Sequence, residues 1–304
     1  MYKIELIKDS PFNHVKLVNT NNNSYAKLSL NNGASLQELV INNTVIIEDL
    51  SPLEYTDTYA SSILFPFANR VKDGIYSFNE KDYQLDINEK KKNNALHGLV
   101  YNKTFKILNH SATANEASIT LEYEELNESQ GFPYTYIIQL EYTLKNDGLK
   151  LNVKVKNTDS KTFPFTIGWH PYFISDNLYE SNLKFNSNKK LVLNERMITT
   201  GIEDFDTNKT FEIKDKKLDD CFLLNTNIIR FTTPSYDLEI SASSNETFLQ
   251  LYTPPRANTI AIEPTTGVSD SFNNKIGLQL LESGKTYSID WDIKFKKKKL
   301  TLVV

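Results

Sequence analysis

Two short stretches hold side chains able to move protons. In "TIGWHPYF", Thr166 to Phe173, His170 stands between Trp169 and Pro171, with Tyr172 and Phe173 behind it. In "IAIEPTTG", Ile260 to Gly267, Glu263 follows an apolar triplet and precedes Pro264. The chain has only four histidines in 304 residues. An imidazole and a carboxylate form a general acid–base pair when both reach one substrate. Each of the two precedes a proline, and the residue before proline is driven toward extended backbone. Proline donates no N–H, so Pro171 and Pro264 are expected at strand ends or sheet edges. His170 and Glu263 are then expected where strands open onto solvent or a cleft. Taken singly, each has a plainer structural reading: a histidine packed and hydrogen-bonded among aromatics, and a glutamate on the surface.

Other residues add to the pair. Asn69 and Arg70 close "FPFANRV", in a chain with few arginines. His97 precedes a glycine in "NALHGLVYNKTF", and Asp219 and Asp220 lie beside apolar residues in "LDDCFLL". Phe65, Phe67 and Trp169 supply aromatic faces near these groups. Aromatic faces stack on the C–H face of a sugar while polar groups take its hydroxyls, so these aromatics are expected along the cleft.

The elements that must position these residues read as strands. Ile138, Leu140, Tyr142 and Leu144 alternate with polar residues before "NDG", and Leu149, Leu151, Val153 and Val155 alternate after it. Two such runs around Asn146–Gly148 predict a hairpin with one buried face. Similar runs recur along the chain, punctuated by Asn, Asp, Gly and Pro. No long segment keeps a 3.6-residue period, and strands do not alternate with helices, so a parallel α/β fold is not expected. The prediction is all-β: one large antiparallel sandwich over residues 1–304. The run "EKKKNN", Glu89 to Asn94, reads as a polar loop.

Composition narrows the function. Net charge is −4, spread along the chain, which gives no sign of a nucleic-acid partner. No apolar run approaches the roughly 20 residues of a membrane span. The single cysteine, Cys221, has no partner in the chain, and "MYKIELIKDSPFNHV" carries no basic-plus-apolar leader, so a cytoplasmic protein is expected. A small-molecule sugar is the expected partner, without membrane or nucleic acid, for a monomer or weak homodimer. No metal is expected, because His97, His170, Asp219 and Glu263 lack close ligand spacing.

In order, "FPFANRVKDGIYSFNEKDYQL", "NALHGLVYNKTF", "ESQGFPYTYIIQLEYTL", "TIGWHPYF", "LDDCFLL" and "IEPTTGVSDSFN" resemble the motifs of the aldose 1-epimerases, or galactose mutarotases. The resemblance runs from about residue 30 to residue 293. It implies a sandwich of the galactose-mutarotase (supersandwich) type, a sugar cleft on one sheet, and no cofactor. By the same resemblance Glu263 is the catalytic base and His170 the acid, with "HPYF" where relatives often carry "HSYF". His97 helps to bind and polarise the sugar, and Arg70 contacts a hydroxyl. Asp219, with Phe222 three residues on, fits the sugar-binding aspartate better than Asp220. Asn69, Trp169 and Phe67 join the expected binding residues. "HGL" lacks the second glycine of the family's "HGG". The chain resembles the short branch, which includes sugar-phosphate mutarotases.

The implied reaction interconverts sugar anomers by opening a hemiacetal ring, which moves only protons. An ionised Glu263 beside a protonated His170 is the expected working pair. The rival readings are a hexose-6-phosphate mutarotase with a cationic clamp such as Arg256, a non-catalytic carbohydrate-binding or regulatory module, and a glycosidase using Asp219 and Glu263.

Overall fold

The protein is described here by a computed structural model covering residues 1–9, 12–126, 129–205, 210–244 and 247–298. The hairpin around Asn146 forms as expected. Strands Thr135–Lys145 and Gly148–Asn157 pair antiparallel, with Leu144 opposite Leu149 and Ile138 opposite Val155. All eight alternating apolar residues of the two strands are buried. Neither Asn146 nor Asp147 takes positive φ. Gly148 is required for a different reason: a Cβ there would stand 2.0 Å from the carbonyl oxygen of Ile293 on the next strand.

That hairpin lies within a nine-stranded sheet. The last strand, Thr286–Lys297, enters between Gly148–Asn157 and Tyr236–Ala242 and joins the two halves of the sheet. A second sheet of eight strands runs Thr199–Asp204, Ser187–Leu193, Asp219–Leu224, Phe248–Tyr252, Thr259–Thr265, Gly168–Trp169 and Ile63–Leu64, with Tyr172–Ile174 also on Thr259–Thr265. The first five strands, Tyr2–Asp9 to Thr44–Ile47, form a meander of their own. Among the described residues, helix is confined to single turns, and none is long and apolar enough to cross a membrane.

The two large sheets face each other. Trp169 stacks on Trp291 with centroids 6.2 Å apart, and Phe173 meets Phe231 at 6.4 Å. Each pair takes one ring from each sheet. Because successive side chains on a strand point to opposite faces, burying these aromatics sends their neighbours His170 and Tyr172 to the outer face of the eight-stranded sheet. On Thr259–Thr265 the same alternation puts Ile260 and Ile262 into the sandwich core and turns Glu263 away from it.

Candidate active site

Strand register brings His170 and Glu263 together. Gly168 pairs with Thr265 and Tyr172 with Ala261, so continuing that register sets His170 opposite Glu263. The ladder is interrupted between those two pairs. The Pro171 carbonyl still accepts from Ile262 N–H (3.2 Å), but His170 leaves the ladder and bonds instead to the Ser61–Ser62 segment, through Ser61 N–H to its carbonyl (2.8 Å) and its own N–H to the Ser62 carbonyl (3.1 Å). Pro171 thus falls between two strands, as expected. Pro264 does not: it lies inside a central strand, opposite Leu249. The gap in the ladder explains this, since the position facing Pro264 on the other side makes no pair that would call for its missing N–H.

The outer face here forms a cleft of about 280 Å³. His170 Nε2 lies 3.4 Å from Glu263 Oε1, with only 4% and 2% of the two residues exposed. His97 meets His170 edge-on, ring centroids 5.0 Å apart. It is held by its N–H to the Asn69 carbonyl (2.8 Å) at the end of the paired strands Arg70–Lys72 and Asn94–Leu96. The glycine of "HGL" is forced: Gly98 has φ +76°, and a Cβ would stand 2.3 Å from the Phe65 carbonyl oxygen. Nδ1 of both His97 and His170 is buried without a hydrogen-bond partner among the described residues.

A polar chain crosses the cleft. Arg70 Nη1 donates to Asn69 Oδ1 (3.0 Å), Asn69 Nδ2 to Gln250 Oε1 (3.4 Å), and Gln250 Nε2 to Asp219 Oδ1 (2.9 Å). Asp219 lines the cleft, whereas Asp220 on the other face of its strand pairs with Lys190 at 2.6 Å. Glu263, His170, His97, Arg70, Asp219 and Asn69 therefore converge.

Trp169 and Phe67 do not join them. Trp169 is fully buried against Trp291, and Phe67 packs on Phe272 at 5.8 Å. Phe65 is likewise packed, against Tyr136 at 5.0 Å. The hydrophobic core claims all three, and the cleft aromatics are Tyr59, Tyr172 and Tyr252. Sequence reasoning missed Gln250 and Glu89. Gln250 carried a signal, as the lone polar residue between Leu249 and Leu251 on a buried strand. Glu89 carried none, because a glutamate heading a lysine run reads as solvated. Arg256, the candidate phosphate clamp, is bonded to Glu48 and the Asp49 carbonyl and lies outside the cleft lining.

Electrostatics correct one expectation. Burial pushes Glu263 well above the usual carboxylate range; Asp219 adds to this and Arg70 opposes it. Burial, with Arg70, pushes His170 down to about 3, and His97 falls for the same reasons with His170 adding to them. Burial thus favours the neutral form of each group, because low-dielectric surroundings disfavour charge. Asp219 is also raised by burial, against Arg70 and Lys92.

A family model described as aldose 1-epimerase matches residues 16–294. The chain is 28% identical over 259 residues to an uncharacterised protein of Escherichia coli (strain K12), YihR, covering 81% of this chain and 82% of that one. It is 29% identical over 150 residues to a galactose mutarotase of Sus scrofa, covering 47% and 42%. Among solved structures, a galactose mutarotase-like protein from Clostridium acetobutylicum superposes with a TM-score of 0.83 at 19% identity, covering 98% of this chain and 99% of that one. At that identity the likeness establishes the shared all-β, galactose mutarotase-like fold alone.

Proposed function

Because the chain belongs to the aldose 1-epimerase family, we propose that it interconverts the α and β anomers of a free aldohexose by acid–base ring opening and closure. The observation that carries this is the buried His170–Glu263 pair at 3.4 Å on the cleft floor. Glu263 takes the proton of the C1 hydroxyl while His170 gives one to the ring oxygen. The C1–ring oxygen bond breaks, leaving an aldehyde and a new hydroxyl. Rotation about C1–C2 presents the other face of the carbonyl, and closure returns both protons. Each well-placed acid or base contributes about 10²–10⁴-fold.

The pair needs one proton between its two groups. We place that proton on the carboxyl before sugar binds, since burial favours the neutral form of each group. Transfer to His170 across 3.4 Å gives the working form without any exchange with solvent. Sugar hydroxyls donating to the carboxylate favour that form. Asn69, Arg70, His97 and Asp219 orient the ring so that the two groups act on one hemiacetal.

The charges around the cleft favour a neutral sugar. Asp57, Glu89 and Asp219 face two cations, Arg70 and Lys92, and Arg70 is already paired with Glu89. A phosphate would meet more carboxylate than guanidinium. Anomerisation followed by polarimetry or NMR exchange across glucose, galactose, other aldoses and glucose 6-phosphate tests the reading. Turnover of free hexoses is expected. Turnover of the phosphate alone would overturn the substrate class, and binding without turnover would leave a carbohydrate-binding module.

A further inference from the structure

The loop "EKKKNN" turns its one acid inward. Glu89 Oε2 and Oε1 accept from Arg70 Nε and Nη2, each at 2.9 Å, as a two-pronged fork. Asn94 Nδ2 donates to Glu89 Oε2 at 2.9 Å, and the backbones of Glu89 and Asn94 bond to each other in both directions. Arg196, from the turn after strand Ser187–Leu193, holds the loop from behind. Its Nε donates to the Lys92 carbonyl and its Nη2 to the Asn93 carbonyl and to Asp73 Oδ1, all at 2.8 Å. The Arg70 and Glu89 side chains are 11% and 15% exposed. A loop whose only task was solvation has no use for this arrangement. Of the five N–H groups of Arg70, Glu89 takes two and Asn69 one, leaving two held in a fixed plane.

We propose that Glu89 is a positioning residue for the reaction: through Arg70 it fixes the plane of a sugar-hydroxyl donor and balances its charge, so that a neutral sugar meets an oriented hydrogen-bond donor and not a free cation. The inference rests on the anomerase reading. It has a consequence for the proton pair. The groups that face Glu263 and His170 are Tyr252 and Tyr172 on the two neighbouring strands, Asp219 and Cys221 one strand farther on, and His97 and Arg70 at the rim. Arg70 is the only cation among them. Its charge draws Glu263 toward ionisation against burial, and the Glu89 carboxylate is the counter-charge on that guanidinium. Lys92, farther out, acts on Asp219.

The test compares the full-length wild type with Glu89→Gln and Glu89→Asp, using galactose and glucose, with KM, kcat and the pH profile measured by NMR exchange. Glu89→Gln is expected to raise KM about 10-fold with kcat changed less than about 3-fold, as for the loss of one charge-assisted contact. The alkaline limb of its pH profile, where the Glu263–His170 pair loses the proton it shares, should move down by about one pH unit, because the unbalanced guanidinium eases ionisation of Glu263. Glu89→Asp keeps the charge but shortens the fork. It should raise KM while leaving the limb in place, and it carries the test if Glu89→Gln melts below the assay temperature. In Arg70→Ala, adding Glu89→Gln should change KM little further. Wild-type KM and an unmoved limb in Glu89→Gln would overturn the proposal, as would additive effects in the double variant. A wild type that anomerises no free aldose would instead overturn the function on which the proposal rests.

Discussion

Burial decides how the two proton-carrying residues behave before any sugar arrives. His170, pushed down to about 3, stays neutral through the ordinary imidazole range near pH 6.5. Its ring signals in substrate-free protein should therefore not titrate between about pH 5 and 8 by NMR; a midpoint near 6.5 would contradict the burial argument. Glu263 has the opposite shift, which has a consequence for stability. A group whose folded pKa is raised contributes stability that is fully present below its unfolded value, about 4.3, and is lost as pH rises through its folded value. Glu263→Gln removes that loss. Its melting temperature should match the wild type near pH 4 and exceed it increasingly toward alkaline pH, which thermal denaturation across pH checks. A constant difference would mean that Glu263 is not the titrating group. At this scale the sequence was only half legible. The proline-flanked motifs pointed to two side chains that the fold brings within 3.4 Å of each other, but protonation depends on how much of the molecule covers them, which no spacing records.

At the scale of elements, the site is made by strand alternation and one broken ladder. Trp169 and His170 are adjacent and must face opposite sides of the sheet, so only one of them can line the cleft. The alternation was legible, but which face would be covered by the second sheet was not, and the aromatics were assigned to the wrong side. Pro264 shows the same limit from the backbone. A central strand accepts it because its neighbour bows away at His170, and that bow is a tertiary event. Gly98 is a sharper test of local geometry. Gly98→Ala adds a Cβ 2.3 Å from a backbone oxygen at a residue with φ +76°. It should destabilise by about 2–4 kcal/mol from overpacking and left-handed strain, and displace His97. Urea unfolding and KM should both respond. Wild-type stability would mean that the turn at His97 is free to move and does not hold the imidazole in place.

Across the whole molecule, the cleft is only as rigid as the sandwich beneath it. The Trp169–Trp291 stack ties the site-bearing strand to the last strand of the chain. Trp291→Ala empties the space under His170 without touching the cleft. A cost of about 3–5 kcal/mol in unfolding is expected, with sugar KM near wild type in the folded fraction. A small cost would show that the sheets do not depend on this contact. The strand-rich, antiparallel character was legible from alternation and turn residues. The insertion of Thr286–Lys297 between Gly148–Asn157 and Tyr236–Ala242 was not, because pairing between strands so far apart in the sequence leaves no local trace. All of this architecture serves one claim, that Glu263 and His170 exchange protons with a hemiacetal. The most direct test is the anomer-exchange rate of Glu263→Gln on saturating galactose, beside its galactose affinity. The amide keeps the shape of the carboxylate but cannot take the C1 proton. A fall in kcat of about 10²-fold or more with affinity nearly unchanged is predicted. Near-normal turnover would contradict it, place the base elsewhere, and make Asp219 the next residue to replace.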